Sequence, residues 1–308
     1  MAERAKEIFP SLFEGELRFM EPLRNHTSLR IGGPADIFAV PQDLLSLKDI
    51  HRALRRNQIP FFPLGGGTNI LVRDGGIAGA VITVRSFKKI EALSEDNTYV
   101  NFFVEAGTSL QRLVNFARAH GYSGLEGLAG IPGTIAGAIC GNSGAFGYEM
   151  KDVLVSVEML DAEGRIRRVE AEGIDFGYRS SSILADELIL GAEIKLKKDE
   201  KEEVSNKVEN FLKMKRERQP IWEPSAGCVF KNPSGLSAGK LIDEAGCKGM
   251  RIGDAEVSSI HANFFINKGK ANASDFIRLI EEVAGRVQER LGIALEPEIK
   301  IIGRDIVN

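Results

Sequence analysis

LEGLAGIPGTIAGAICGNSGAFG, residues 125–147, and PLGGGTNILV, residues 63–72, are the stretches that decide how this chain folds. Within the first, residues 130–147 carry glycine at 130, 133, 137, 141, 144 and 147. That density is too costly in backbone entropy for an ordinary helix and suits a loop whose backbone comes close to a ligand. Gly137 and Gly141 also match the GxxxG spacing of paired membrane helices, but Pro132, Asn142 and Ser143 interrupt too short an apolar run to span a bilayer. In the second stretch Gly65, Gly66 and Gly67 follow the apolar run IPFFPL, so that backbone N–H groups can converge on an anion such as a pyrophosphate. Neither standard nucleotide fingerprint is met: Ile70 stands where the last glycine of GxGxxG belongs, and no GK[ST] ending follows. One such loop is an unusual turn, whereas two in one region point to a nucleotide site.

Outward from these loops, strands and helices alternate. DIFAV (36–40) reads as a strand, and Leu44, Leu47, Ile50 and Leu54 share one face of a helix over 43–58 that Pro60 ends. GAVITV (79–84) and YVNFFVEAG (99–107) add strands. A helix over 108–120 follows the capping residues Thr108 and Ser109, with Leu110, Leu113, Val114 and Ala117 on one face. Residues 153–170 form two strands about a turn at Asp161–Gly164, ELILGAEIKLK supplies another, and the spacing predicts a mixed sheet. At residue 199 a charged helix with Val204, Val208, Phe211 and Leu212 on one face marks a domain boundary. Beyond it come GCVFKN, a helix over 237–246, HANFFIN, a helix over 273–291 and EIKIIG. The pattern predicts an α+β (mixed α/β) protein with one domain over 1–199, itself split near 84/85, and a second over 200–308.

Composition bounds the function classes. The chain has 308 residues, 43% hydrophobic and 27% charged, which is ordinary for a globular protein of two or three units. A net charge of −3 without a basic excess argues against a nucleic-acid or membrane-surface partner and for a small ligand recognised locally. Charges are scattered through the first twenty residues, which predicts neither a leader nor a spanning helix there. Cys140, Cys228 and Cys247 show no CxxC spacing and the four histidines no paired ligand spacing, so no disulfide or metal is expected, and a reducing cytoplasm is.

Seven segments together carry a family resemblance. NHTSLRIGGPADIF (25–38), PLGGGTNILV and the 125–147 stretch resemble the FAD-binding half of the UDP-N-acetylenolpyruvoylglucosamine reductases, a flavin fold of the vanillyl-alcohol-oxidase (PCMH) type. FGYRSSSI (176–183), PSAGCVFKNP (224–233), AGKLIDEAGCKGMRIGDAEVS (238–258) and LEPEIKIIG (295–303) resemble that family's remaining motifs in order, and the short spacing between Arg179 and Cys228 is similar to its type II subgroup. Coverage runs from about residue 25 to 303, and PSAGxxFKNP combined with the flavin loops is the specific part.

The resemblance implies an FAD site lined by Asn25, Thr27, Arg30, Gly65, Gly66, Gly67, Thr68, Asn69, Ile131, Pro132, Gly133, Thr134, Gly137, Ala138 and Asn142, with the two glycine loops at its pyrophosphate. It implies Arg179, Cys228 and Glu298 as catalytic residues and Tyr178, Lys231, Asn232 and His261 at a nucleotide-sugar substrate, Asn232 and His261 near the UDP part. The second domain would bind substrate, with the last strand (296–308) returning toward the flavin. The implied reaction is NADPH-dependent reduction of UDP-N-acetylglucosamine enolpyruvate to UDP-N-acetylmuramate by a cytoplasmic monomer of peptidoglycan synthesis. Arg179, a permanently charged fork, suits a carboxylate whose charge grows in the transition state, and a Glu298 kept protonated by burial would add a hydrogen bond or steady Arg179. Cys228 replaces the serine most common in the family. A thiol, with an ordinary pKa of about 8.5, is protonated at neutral pH and still gives up its proton readily, at the price of sensitivity to oxidation. Another flavin oxidoreductase of the same fold would leave PSAGCVFKNP and LEPE unexplained, and a non-catalytic nucleotide-sugar binder would be colourless.

Overall fold

The computed structural model describes residues 14–184 and 187–306. Residues 1–13, part of the stretch read as free of a leader, lie outside the described residues. Among the described residues no helix is long and apolar enough to cross a membrane, and no cluster of His, Cys, Asp or Glu could hold a metal ion.

Strands β1 (Gly15–Pro22), β2 (Pro34–Pro41), β3 (Phe61–Pro63), β4 (Ile70–Val72), β5 (Ile77–Ile82), β6 (Ile90–Glu95), β7 (Tyr99–Glu105) and β8 (Tyr122–Ser123) occupy the N-terminal part. There follow β9 (Gly144–Ala145), β10 (Tyr148–Glu149), β11 (Leu154–Leu160), β12 (Ile166–Glu170), β13 (Phe176–Gly177), β14 (Ser180–Ser181) and β15 (Leu188–Lys198). The C-terminal part adds β16 (Ser225–Cys228), β17 (Arg251–Ile252), β18 (Ala255–Val257), β19 (Phe264–Asn267) and β20 (Lys300–Ile302). Helices are α1 (Leu44–Arg56), α2 (Leu110–His120), α3 (Ile135–Cys140), α4 (Lys201–Arg218), α5 (Ala238–Glu244) and α6 (Ala273–Leu291). The fold is mixed α+β.

Two compact units divide the described chain: residues of 1–19, 37–66 and 79–214 form the first, and those of 20–36, 67–78 and 215–308 the second. This division differs from a cut at residue 199. Most of α4 belongs to the first unit, because its apolar face, with Val204 and Val208 at 1% exposure, is buried there and Leu212 packs on that unit's core. The chain crosses between units inside β1, β2, β5 and α4 and between Gly66 and Gly67, so neither unit is one continuous stretch of sequence.

In the first unit, β12-β11-β15-β7-β6 form a sheet with β8 paired to β15, and every pairing in it is antiparallel. The expected mixed sheet is therefore corrected here; each neighbouring pair is closed by hairpin-like or returning connections that reverse the chain. Asp43 caps α1 by accepting from Ser46 N–H at 2.8 Å, and Leu47, Ile50 and Leu54 are fully buried beneath it. Ser109, not Thr108, caps α2, accepting from Arg112 N–H at 3.2 Å; left-handed Gly121 (φ 71°) ends it. Each such leucine or isoleucine buried whole contributes about 1.5–3 kcal/mol. The glycine-rich stretch, read as unsuited to a helix, nevertheless holds the six-residue α3, capped by Thr134. One turn and a half pays little of glycine's entropic penalty, so the tertiary contacts described below suffice.

In the second unit β16-β19-β18-β17 form an antiparallel sheet. α6, capped by Asn272 and ended by left-handed Gly292, buries Phe276, Leu279, Ile280, Val283 and Val287 at helical spacing in the same core as Phe265 and Phe230. The last strand, β20, lies parallel to β4, the strand that immediately follows the GGGTN loop.

Candidate active site

Two glycine loops touch inside the first unit. A Cβ built on Gly66 would lie 2.8 Å from Gly133 Cα, and one on Gly65 would lie 2.8 Å from Thr134 Oγ1. Glycine at 65 and 66 is thus required first by protein packing. Loop 130–134 is in turn anchored to the start of α2, since Leu110 N–H donates to Gly133 O and Ile135 N–H to Thr108 O. Gly137 behaves differently. It is exposed, and a Cβ there would meet only Thr134 Oγ1 at 3.6 Å, an ordinary contact. Gly66, Pro132 and Gly137 are exposed, with Gly65, Ile131, Gly133 and Thr134 half-buried, so the glycines leave bare backbone open to a flat ligand. These residues fit FAD. Ala138, by contrast, is 4% exposed and belongs to the core.

Apart from Asn142, which lies in the first unit just beyond α3, the second unit holds the rest of the sequence-predicted flavin set. Ser28 N–H donates to Gly67 O at 3.0 Å, which brings Asn25–Arg30 beside Gly67–Asn69. Gly67 (φ 63°) could not be another residue, because a Cβ would lie 2.0 Å from His26 O. Thr27 is buried and donates to Ile31 O at 2.9 Å, whereas Asn25 and Arg30 are exposed, Arg30 at φ 56°. Asn69 donates to Glu298 O at 3.3 Å and accepts from Lys300 N–H at 3.1 Å, tying its loop to the final strand.

Cys228 and Glu298 are brought together in this unit. Cys228 ends β16 opposite Phe264, after an irregularity in the pairing at left-handed Gly227 (φ 78°), and is half-buried. Glu298 N–H donates to Val229 O at 2.7 Å, and Lys231 N–H donates to Glu296 O at 2.8 Å, so residues 296–298 run along 229–231. The Lys231 ammonium pairs with the Glu296 carboxylate. Asn232 Oδ1 accepts from Ala238 N–H at 3.0 Å at the start of α5, a capping contact. His261 stands over Gly239, whose added Cβ would lie 3.1 Å from the imidazole, and its Nδ1 accepts from Asn263 N–H at 3.2 Å. Burial, aided by the charge of Lys248, holds the His261 pKa below its ordinary 6.5.

Arg179 belongs to the first unit, at the tip of the β13–β14 hairpin. Gly177 pairs with Ser180, leaving Tyr178 and Arg179 as the turn, with Arg179 at φ 59° and its guanidinium carbon 5.3 Å from the Tyr178 ring centroid. Left-handed backbone at a charged residue is strained and recurs where function holds it. Sequence inspection missed two supports. Asn263, 2% exposed, accepts from Phe230 N–H and donates to Phe230 O, clamping the segment after Cys228. Glu149 lies beside Asn142 and the Arg179 hairpin. An asparagine between apolar strand residues in HANFFIN was the available signal for the first; nothing local marked the second.

Residues 35–170 match the model of an FAD binding domain, and residues 219–302 that of the UDP-N-acetylenolpyruvoylglucosamine reductase C-terminal domain. The UDP-N-acetylenolpyruvoylglucosamine reductase of Geotalea uraniireducens is 39% identical over 305 residues, covering 99% of this chain and 100% of that protein. That of Caldanaerobacter subterraneus subsp. tengcongensis is 43% identical over 304 residues and covers 98% of each. The crystal structure of the reductase from Thermus caldophilus matches with a TM-score of 0.79 at 36% identity, over 94% of this chain and 99% of that one. A chain that matches an FAD binding domain and then this reductase C-terminal domain is a flavoprotein oxidoreductase. Within that class, the chain belongs to the UDP-N-acetylenolpyruvoylglucosamine reductase family.

Proposed function

We propose that this protein reduces UDP-N-acetylglucosamine enolpyruvate to UDP-N-acetylmuramate with FAD and NADPH, for peptidoglycan synthesis, as a monomer in the cytoplasm. FAD, when bound, would supply the chemistry of hydride transfer between NADPH and the terminal enolpyruvyl carbon. The chain's own residues do the rest. Cys228 gives its thiol proton to the carbon bearing the carboxylate, so that the double bond gains one hydride and one proton. Arg179 holds that carboxylate while enolate charge grows on it, and Glu298 in its protonated form donates a hydrogen bond to the same charge. Tyr178, Lys231, Asn232 and His261 orient the nucleotide sugar, and the backbone of Gly65–Asn69 and Ile131–Gly137 receives the flavin, in a first domain over 1–199, with 200–308 binding substrate.

The observation that carries this reading is the docking of Glu298 N–H on Val229 O at 2.7 Å, which sets the two separate motifs PSAGCVFKNP and LEPE side by side. The test is an absorption spectrum followed by anaerobic NADPH titration and addition of the enolpyruvate. A yellow protein that bleaches with NADPH and recovers with the UDP-sugar supports it; a correctly folded protein that takes up no FAD, or whose reduced form ignores the substrate, overturns it. Sedimentation of the holoenzyme checks the monomer.

A further inference from the structure

Asn142 lies in the glycine-rich segment, yet its side chain is turned into the protein. The residue is 1% exposed. Its Oδ1 accepts from Lys151 N–H at 3.1 Å, and its Nδ2 donates to Glu149 Oε2 at 3.1 Å and to Gly177 O at 3.2 Å. Its backbone N–H donates to Ile139 O at 3.1 Å, closing α3, and its φ of 39° is one that asparagine tolerates better than most residues.

Gly177 is the last residue of β13, directly before the Tyr178–Arg179 turn. A hairpin with two-residue strands and a non-glycine left-handed residue at its tip does not support itself. Two bonds fasten it to the C-terminal end of α3: Asn142 Nδ2 to Gly177 O, and Ser181 Oγ to Cys140 O at 3.0 Å. The other amide hydrogen engages Glu149, whose carboxylate also pairs with Lys151 at 2.8 Å. The Lys151 bond, then that of Asn142 and the charges of Lys151 and Arg179, hold the Glu149 carboxyl below its ordinary range. The network thus links a rigid amide to an anion that faces the Arg179 charge.

We propose that Asn142 is a positioning residue: it sets the hairpin that carries Arg179 against the end of α3, and does not hold the flavin through its side chain. The proposal rests on the reading of Arg179 as the group that binds the substrate carboxylate.

Asn142→Gly removes the side chain while leaving the left-handed backbone at ease, and Asn142→Asp keeps the acceptor for Lys151 N–H but loses both donated bonds. Both are tested as holoenzymes beside Arg179→Lys and the double variant Asn142→Gly/Arg179→Lys. Expected are wild-type FAD content and flavin reduction by NADPH within about twofold in both Asn142 variants, with reoxidation by the enolpyruvate slowed on the order of 10²-fold, the scale of a misplaced catalytic group. The double variant should be no slower than Arg179→Lys alone, because both changes act through one guanidinium. Hydrogen exchange of the 172–183 segment in FAD-free protein should rise in Asn142→Gly. FAD loss with normal reoxidation per bound flavin would make Asn142 a flavin ligand and overturn the proposal, as would multiplicative losses in the double variant or unchanged exchange. Wild-type protein that is reduced by NADPH but never reoxidised by the substrate would instead bring down the proposed function itself.

Discussion

Glycine can be demanded by the protein or by its ligand, and Gly66→Ala against Gly137→Ala separates the two. At Gly66 an added methyl would stand 2.8 Å from Gly133 Cα and 3.3 Å from Gly133 C, both backbone atoms of an anchored loop. Restoring ordinary contact at 3.4 Å moves the loops apart by about 0.6 Å. Forced overpacking of this kind costs about 1–3 kcal/mol, and Gly66 has ordinary negative-side backbone, so no strain is added. If the displaced loops recover their native spacing only on binding FAD, that cost appears as a roughly 5- to 150-fold weaker FAD Kd. At Gly137 the methyl would meet only Thr134 Oγ1 at 3.6 Å, and alanine in a helix is favoured over glycine by about 0.5–1 kcal/mol. FAD-free Gly137→Ala should therefore be at least as stable as wild type in a urea melt, while FAD-free Gly66→Ala should be less stable. Both should lose FAD affinity in a fluorescence titration, the second because its packing is spoiled and the first because the methyl intrudes on exposed flavin-facing backbone. Undiminished stability of Gly66→Ala would refute the loop-packing account, and wild-type FAD affinity in Gly137→Ala would remove α3 from the flavin surface.

Three further outcomes are expected. Cys228→Ser should keep substantial turnover, whereas Cys228→Ala should slow reoxidation by the enolpyruvate about 10²- to 10⁴-fold with NADPH reduction intact; full steady-state activity of the alanine variant excludes the thiol as proton donor. Glu298→Gln, which preserves a hydrogen-bond donor, should retain more activity than Glu298→Ala in the same single-turnover assay, and equal losses would mean that only the charge matters. Because His261 titrates below 6.5 in the fold, the unfolded chain takes up a proton first as the pH drops through 6.5, so stability falls with falling pH there until the folded imidazole also protonates. Urea melts between pH 5 and 7 should show a smaller acid-side loss in His261→Gln than in wild type; identical slopes would contradict the burial of this ring.

Much of the first unit was legible in the residues. Leu47, Ile50 and Leu54 on one face, Ser109 ahead of Leu110, and Asp161–Gly164 between two alternating runs are local signals, and the structure has α1, α2 and the β11–β12 turn where they stand. The helix over 273–291 agrees in both ends, since Asn272 and Gly292 are its caps. What was not legible needed distant partners. The six residues of α3 are too few to form a helix unaided; they do so because Thr134 caps them and their first N–H groups bond to Thr108 O and Ala106 O. β17 has two residues, and its sheet became visible only through its neighbours.

The chain by itself determined where the longer amphipathic helices lie, which of their faces are apolar, and the motifs whose order identifies the family, because capping, periodicity and backbone freedom act within a few residues. Only the tertiary structure decided why Gly66 and Gly67 are glycines, that Glu298 settles on Val229, and that Asn142 holds the Arg179 hairpin, because each depends on groups brought together from far along the sequence, by as many as 69 residues for Glu298 and Val229.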